Sequence, residues 1–157
     1  MNTEQRVNAR VIRHFRASPE RVFDAWLDAK TAGNWLFASP TSQIVCIEID
    51  GRAGGWFYIV HRREGEDVEH VGEYYEVDRP RRLVFTLSVE KYTLNFDRVV
   101  IEIVPLGSEC KLTLTHETNT TGNASRIEAC WSHVLGDLAA MIGAKPARAP
   151  VREVTDP

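Results

Sequence analysis

Ser18-Pro19-Glu20-Arg21-Val22-Phe23-Asp24-Ala25-Trp26 has the chemistry of a helix start. Ser18 can cap the free amides, Pro19 suits a first helical position where no N–H is needed, and Glu20 faces the positive helix end. Val22, Phe23 and Trp26 then give the segment one apolar face. Asp28 can cap a second short helix carrying Trp35, with Gly33 weakening or ending its regular part. Upstream, Val7 to Phe15 reads as a strand. A strand followed at once by two short helices is an unusual order, and it narrows the architecture early.

Downstream, from Gln43 to Glu117, the period changes to two. Ile44 to Asp50 is apolar and β-branched and ends in Gly51-Arg52-Ala53-Gly54-Gly55, which is turn chemistry. Trp56 to Arg62 follows, then a turn at Glu64-Gly65 and a strand from His70 to Val77. Leu83, Phe85, Leu87 and Val89 alternate with smaller or polar residues, as do Val99, Ile101 and Ile103. Pro105-Leu106-Gly107-Ser108 turns the chain into a last strand with Leu112, Leu114 and His116 on one face. Short connections imply an antiparallel meander.

The final element is a helix with Ile127, Cys130, Trp131, Val134, Leu135, Leu138, Met141 and Ile142 on one broad apolar stripe. Ser125 with Glu128 reads as its capping box. That stripe must be covered, and the sheet is the only partner large enough. The expected fold is α+β: a curved antiparallel sheet gripping the C-terminal helix, with the two short helices plugging one end and a cavity between helix and sheet. Residues 1–143 form one domain in this reading, and 144–157, rich in Pro, Ala and charge, form a flexible tail.

Composition sets the limits on function. The 157 residues carry 19 basic and 22 acidic side chains, a net charge of −3. No strong positive field exists to collect phosphates, so nucleic acid is not an expected partner. Arg62-Arg63 and the cluster Arg79, Arg81-Arg82 have acidic neighbours and read as solvated strand ends. Cys46, Cys110 and Cys130 are odd in number and widely spaced, against both a disulfide framework and a metal site. The N-terminus lacks an apolar signal core, and no stretch approaches the ~20 apolar residues needed to span a bilayer. The expectation is a cytoplasmic protein without membrane insertion, metal or cofactor.

The residues of residues 18–26, with Trp35, Gly54-Gly55-Trp56-Phe57, Val71-Gly72-Glu73-Tyr74, Val77-Asp78-Arg79-Pro80-Arg81-Arg82-Leu83-Val84-Phe85, Leu112-Thr113-Leu114-Thr115-His116 and Trp131, occur in a specific order and spacing. In this the chain resembles the activator of heat-shock protein 90 ATPase homologue (AHSA1-like) family. That family belongs to the SRPBCC superfamily of START-like, birch-pollen-allergen-like helix-grip folds. The resemblance runs from about Val11 to Ile142. Ala29, where the family often has Pro, and Cys130, where Gly usually precedes the helix Trp, depart from the pattern. The resemblance implies a hydrophobic ligand cavity and, for some relatives, cyclase-like chemistry. It carries no catalytic set that transfers residue by residue.

The residues themselves nominate a few candidates. Gly51 to Gly55 lacks the Lys-Ser/Thr of a phosphate loop and is followed by a strand, so it reads as a β-turn. His116 continues the Leu112-Leu114 face towards the helix and could orient a ligand carbonyl or act as a general base. The blander reading is a histidine bonded to backbone near the sheet edge. Glu73 and Glu76 fall on opposite faces of a regular strand, so one is expected to lean inward and to need a partner. Asp97 shares the Val99-Ile101 face but sits at the strand start, within reach of solvent. Trp35, Trp56, Tyr58, Tyr74, Phe85, Leu114, His116, Trp131 and Leu135 are the expected ligand-binding residues, with part of the aromatic set plain core.

The first reading is a carrier or sensor of a small hydrophobic molecule (lipid, polyketide or aromatic), and the alternative is a cyclase, dehydratase or hydrolase using His116 with Glu73. A co-chaperone-like interaction module rests on the family resemblance alone. Such folds often pair through sheet edges, which makes a homodimer the assembly to test.

Overall fold

The computed structural model describes residues 7–89, 96–118 and 124–143. Its elements are β1 (Val7–Phe15), α1 (Pro19–Ala25), α2 (Ala29–Ala32), β2 (Gln43–Ile49), β3 (Trp56–Arg63), β4 (Glu66–Asp78), β5 (Arg82–Val89), β6 (Asp97–Leu106), β7 (Glu109–Thr118) and α3 (Ala124–Gly143). The strands form one antiparallel sheet in the order β1-β7-β6-β5-β4-β3-β2. Only β1 departs from a simple meander, pairing with β7 after the whole chain has been laid out. The sheet curves around α3, so the fold is the α+β helix grip. The expected tail, 144–157, lies outside the described residues.

Local chemistry explains the connections. Ser18 Oγ accepts from the Arg21 amide at 3.2 Å, and Asp28 Oδ1 from the Lys30 amide at 3.0 Å, so each short helix has its cap. Arg21 Nη2 also donates to the Ile142 carbonyl at 2.9 Å. This joins α1 to the C-terminal end of α3, where a cation is favoured. The β3–β4 turn places Glu64 at φ 52° and Gly65 at φ 82°, the backbone of a two-residue type I′ hairpin. Because that turn is so short, β4 starts at Glu66, earlier than the sequence alone suggests.

One face of the sheet holds the core. Leu83, Phe85, Val99, Ile101, Leu112 and Leu114 alternate inward as their pattern predicts, and Trp131, Leu135, Leu138 and Ile142 of α3 close over them. The centre is aromatic: Trp26 meets Trp35 edge-on at 4.8 Å between centroids, with Phe85 at 6.2 Å and Trp131 at 6.1 Å. Side chains of the protein itself fill most of the space between helix and sheet.

Two sequence expectations are corrected here. Ser125 lies inside α3, and the Glu128 carboxylate accepts the Arg10 amide of β1 at 3.2 Å in place of closing a capping box. A β-bulge between Tyr74 and Glu76 breaks the alternation of β4. Consequently neither glutamate turns inward: Glu73 is exposed, and Glu76 pairs with Arg82, which also holds Glu102. The basic clusters are salt-bridged strand ends at Arg79 on Asp24 (2.7 Å), Arg81 on Asp78 (2.9 Å) and Arg62 on Asp67 (2.8 Å), whereas Arg63 is half-buried and donates to the Phe37 carbonyl. The Gly51–Gly55 segment is a turn whose amides are used: Gly54 N–H donates to the Tyr74 carbonyl and Gly55 N–H to that of Arg52.

Candidate functional site

Among the described residues, the N-terminal half of α3 and the ends of β4 to β7 border a pocket of about 380 Å³ that is open on one side. Leu87 and Val89 form its floor, Ile127, Cys130, Trp131 and Val134 of α3 its roof, and Phe37 one wall. Its polar lining is Asp97, His116, Thr118, His70 and, at the rim, the exposed Arg126.

The centre of this site is a three-residue chain. Trp131 Nε1–H donates to His116 Nδ1 at 2.8 Å. His116 Nε2 lies 2.8 Å from Asp97 Oδ2. An indole N–H can only donate, so Nδ1 must present its lone pair and the imidazole proton must sit on Nε2, directed at the carboxylate. His116 is 6% exposed and Trp131 5%, so the bond between them is shielded from water, while the Asp97 end of the chain is partly exposed. The partner that sequence reasoning missed is Asp97. His116 is not bonded to backbone, and its carboxylate is supplied by the adjacent strand and not by Glu73. Both imidazole nitrogens are occupied, which leaves the Asp97 carboxylate as the member of the chain with spare acceptor capacity.

The opposite wall is held by a second cluster. The Phe37 and His70 rings stack at 4.1 Å with 4° between planes. Phe37 takes φ 63°, unusual for a bulky residue, and Arg63 Nη2 fixes it by donating to its carbonyl at 2.6 Å. His61 Nε2 is 3.0 Å from the Gly33 carbonyl, and since a carbonyl only accepts, that nitrogen carries the proton. Burial lowers the His61 pKa, with the nearby Arg63 adding to the effect. His70 is pushed down to about 3, first by burial and then by the charges of Arg63 and His61. It is therefore neutral at pH 7, and its buried Nδ1 has no hydrogen-bond partner among the described residues.

The other expected ligand-binding residues divide between core and surface. Trp35, Tyr74, Phe85, Leu114 and Leu135 pack in the interior with at most 3% exposure, and burial raises the Tyr74 hydroxyl pKa well above its ordinary range. Trp56 and Tyr58 lie on the outer face, because Phe57 and Ile59 take the inward positions of β3. With Glu73, Tyr75 and Phe96 they border an open groove of about 800 Å³ on the outer face. Of the nine, His116 and Trp131 line the cavity. Phe37 and His70, which also do, were not singled out: Phe37 lies in a segment of no regular period, and His70 resembles any strand residue. No cluster of three or more His, Cys, Asp or Glu able to hold a metal occurs among the described residues. No helix there is long and apolar enough to cross a membrane.

A curved sheet gripping a long helix, with residual apolar space between them, defines a START-like fold able to cradle a hydrophobic ligand. The family model for activator of Hsp90 ATPase homolog 1-like proteins matches residues 16–143, and the chain belongs to that family. Solved structures share the fold at low identity. A Chromobacterium violaceum protein is 23% identical with a TM-score of 0.76, covering 88% of this chain and 98% of that one. One from Nitrosomonas europaea is 22% identical with a TM-score of 0.74, covering 87% and 94%. An AHSA1-like protein from Aeromonas hydrophila is 17% identical with a TM-score of 0.76, covering 92% and 100%. No curated protein matches the sequence.

Proposed function

We propose that this protein binds a small, largely apolar molecule in the cavity between α3 and the β4–β7 ends. The observation that carries the reading is the pocket itself, about 380 Å³ of open-mouthed space walled by Phe37, Leu87, Trp131 and Val134. An apolar void of ~150 Å³ already holds benzene, and ligand pockets begin near ~300 Å³. The volume therefore suits a one- or two-ring molecule and is small for a long-chain lipid. Native mass spectrometry of freshly purified protein, followed by denaturing extraction, tests this directly. A stoichiometric small molecule that is absent from a Val134→Trp variant supports the reading. Equal occupancy in the filled variant refutes it.

A second reading, acid–base catalysis on such a ligand, is favoured by one feature, the 2.8 Å Asp97–His116 pair. Because Trp131 occupies His116 Nδ1, the group available to take a substrate proton is Asp97, with His116 holding it in place. Turnover of a bound compound that stops in Asp97→Asn while binding persists would separate catalyst from carrier.

A further inference from the structure

We propose that the ligand of this cavity is an uncharged ring compound carrying a hydroxyl group, and that its O–H donates to Asp97. The inference rests on the cavity reading above and concerns the chemistry of its polar end. Asp97 is at a cavity wall with its side chain 29% exposed, and one of its oxygens accepts the His116 bond. An ionised carboxylate offers about four acceptor sites, so among the described residues most of its capacity is unspent. The Trp131–His116 chain fixes the carboxylate in place, as a pre-organised acceptor requires.

Charge decides which head group fits. A ligand carboxylate or phosphate would be set against Asp97 in a partly desolvated site, where like charges at close range are costly. His70 on the far wall does not compensate. It is 7% exposed, stacked on Phe37 and neutral, with Nδ1 unpartnered among the described residues. A neutral imidazole nitrogen hydrogen-bonds a neutral polar group. Arg126 is the only permanent cation among the described lining residues, and it is exposed at the rim, where solvent weakens its pull. Between the polar ends, Leu87 and Val89 present only hydrocarbon, which calls for an apolar ring body.

Three probes of one shape test this: naphthalene, 2-naphthol and 2-naphthoate, titrated at pH 7 by ligand-observed NMR. The expected order in the wild-type protein is naphthol tighter than naphthalene by about tenfold or more, as for a hydrogen bond to a charged acceptor, and naphthoate weakest. Asp97→Asn keeps an oxygen for His116 Nε2–H and preserves the cavity volume. In it the naphthol advantage should shrink severalfold and naphthoate should gain. Naphthoate matching or exceeding naphthol in the wild type would assign head-group recognition to Arg126 and overturn the proposal, whether or not the variant folds. So would an undiminished naphthol advantage in Asp97→Asn. If naphthalene binds without any preference among the three, the hydroxyl inference fails and the cavity reading stands. If none binds, the cavity reading fails and the inference falls with it.

Discussion

Replacing Trp131 with Phe should destabilise the fold chiefly by stranding one buried nitrogen. Trp131 Nε1–H is the donor to His116 Nδ1, the bond is 2.8 Å, and the two residues are 5% and 6% exposed. Removing one partner of a buried pair leaves the other desolvated and unpaired, a cost of about 1–3 kcal/mol. The lost part of the indole adds a packing term on the order of 1 kcal/mol, limited because the vacated space joins an existing cavity. The total, roughly 2–4 kcal/mol, would lower the melting temperature by about 5–15 °C for a chain of this size. Packing and hydrogen bonding are separable by repeating Trp131→Phe in a His116→Leu background, where no Nδ1 remains to be stranded. Urea unfolding of the four proteins should give a coupling of about 1–3 kcal/mol. Side-chain nitrogen NMR should find the His116 proton on Nε2 in the wild type. A coupling below about 0.5 kcal/mol, or a proton on Nδ1, would refute the chain of donors and with it the argument that Asp97 is the ligand-facing acceptor.

Other consequences can be checked on the same samples. Gly72→Ala would set its Cβ 1.9 Å from the Thr86 carbonyl oxygen and 2.5 Å from the Phe57 ring. Because the backbone oxygen cannot swing away, a loss of about 3 kcal/mol or more is expected by urea unfolding. Acid should weaken the fold early, since His70 is held neutral with a folded pKa of about 3 against an ordinary 6.5. The unfolded chain binds a proton there that the folded chain refuses. The stabilisation is complete above pH 6.5 and is lost as pH falls towards 3, at up to about 1.4 kcal/mol per pH unit. His61 acts in the same direction, whereas the stabilisation from Asp24, held low by Arg79, is present above its ordinary 3.8 and is lost only as pH falls below it. Urea midpoints of His70→Leu that fall as steeply as wild type between pH 6 and 4.5 would contradict this. Cys130 is exposed on the cavity roof and Cys110 is buried with its thiol pKa raised by burial. Maleimide should therefore label Cys130 before Cys110, and 2-naphthol should slow that labelling; labelling indifferent to the probe would argue against occupancy of the cavity. Arg79→Ala removes a two-point bond to Asp24 between half-exposed partners and should cost less than about 1 kcal/mol by thermal melting.

The architecture was legible because period, caps and turns agree along the chain. Ser18-Pro19 and Asp28 mark helices that begin where the caps require. The inward residues of β5, β6 and β7 follow their alternation without exception. Alternation failed where one residue was inserted: the bulge at Tyr74/Glu76 shifts the phase of β4, so a rule that assigns faces by parity gives the wrong face for one of the two glutamates. The helix cap failed for a different reason. Ser125 and Glu128 have the spacing of a capping box, but β1 offers Glu128 an edge amide at Arg10, a competitor that lies 118 positions away in sequence.

The site was half legible, and the missing half was written in a turn. His116 was visible as a polar residue ending an apolar face, but Asp97 looked like a solvated strand start. The two-residue connection Gly107-Ser108, with Gly107 at φ 65°, joins Leu106 to Glu109 as partners. A turn that short fixes the register of everything before it. Counting back from Leu106↔Glu109 puts Val99 opposite His116, and Asp97, two residues on and on the same face, diagonal to it. Diagonal neighbours on one face of an antiparallel pair lie within reach of long side chains. The Asp97–His116 pair thus follows from one glycine and the period of two. The Trp131 contact does not, since the height and rotation of α3 over the sheet depend on packing among Trp26, Phe37 and Trp131 that no local rule encodes. What positions the candidate acceptor is a strand register set locally, and what orients it is a helix placed by the whole core.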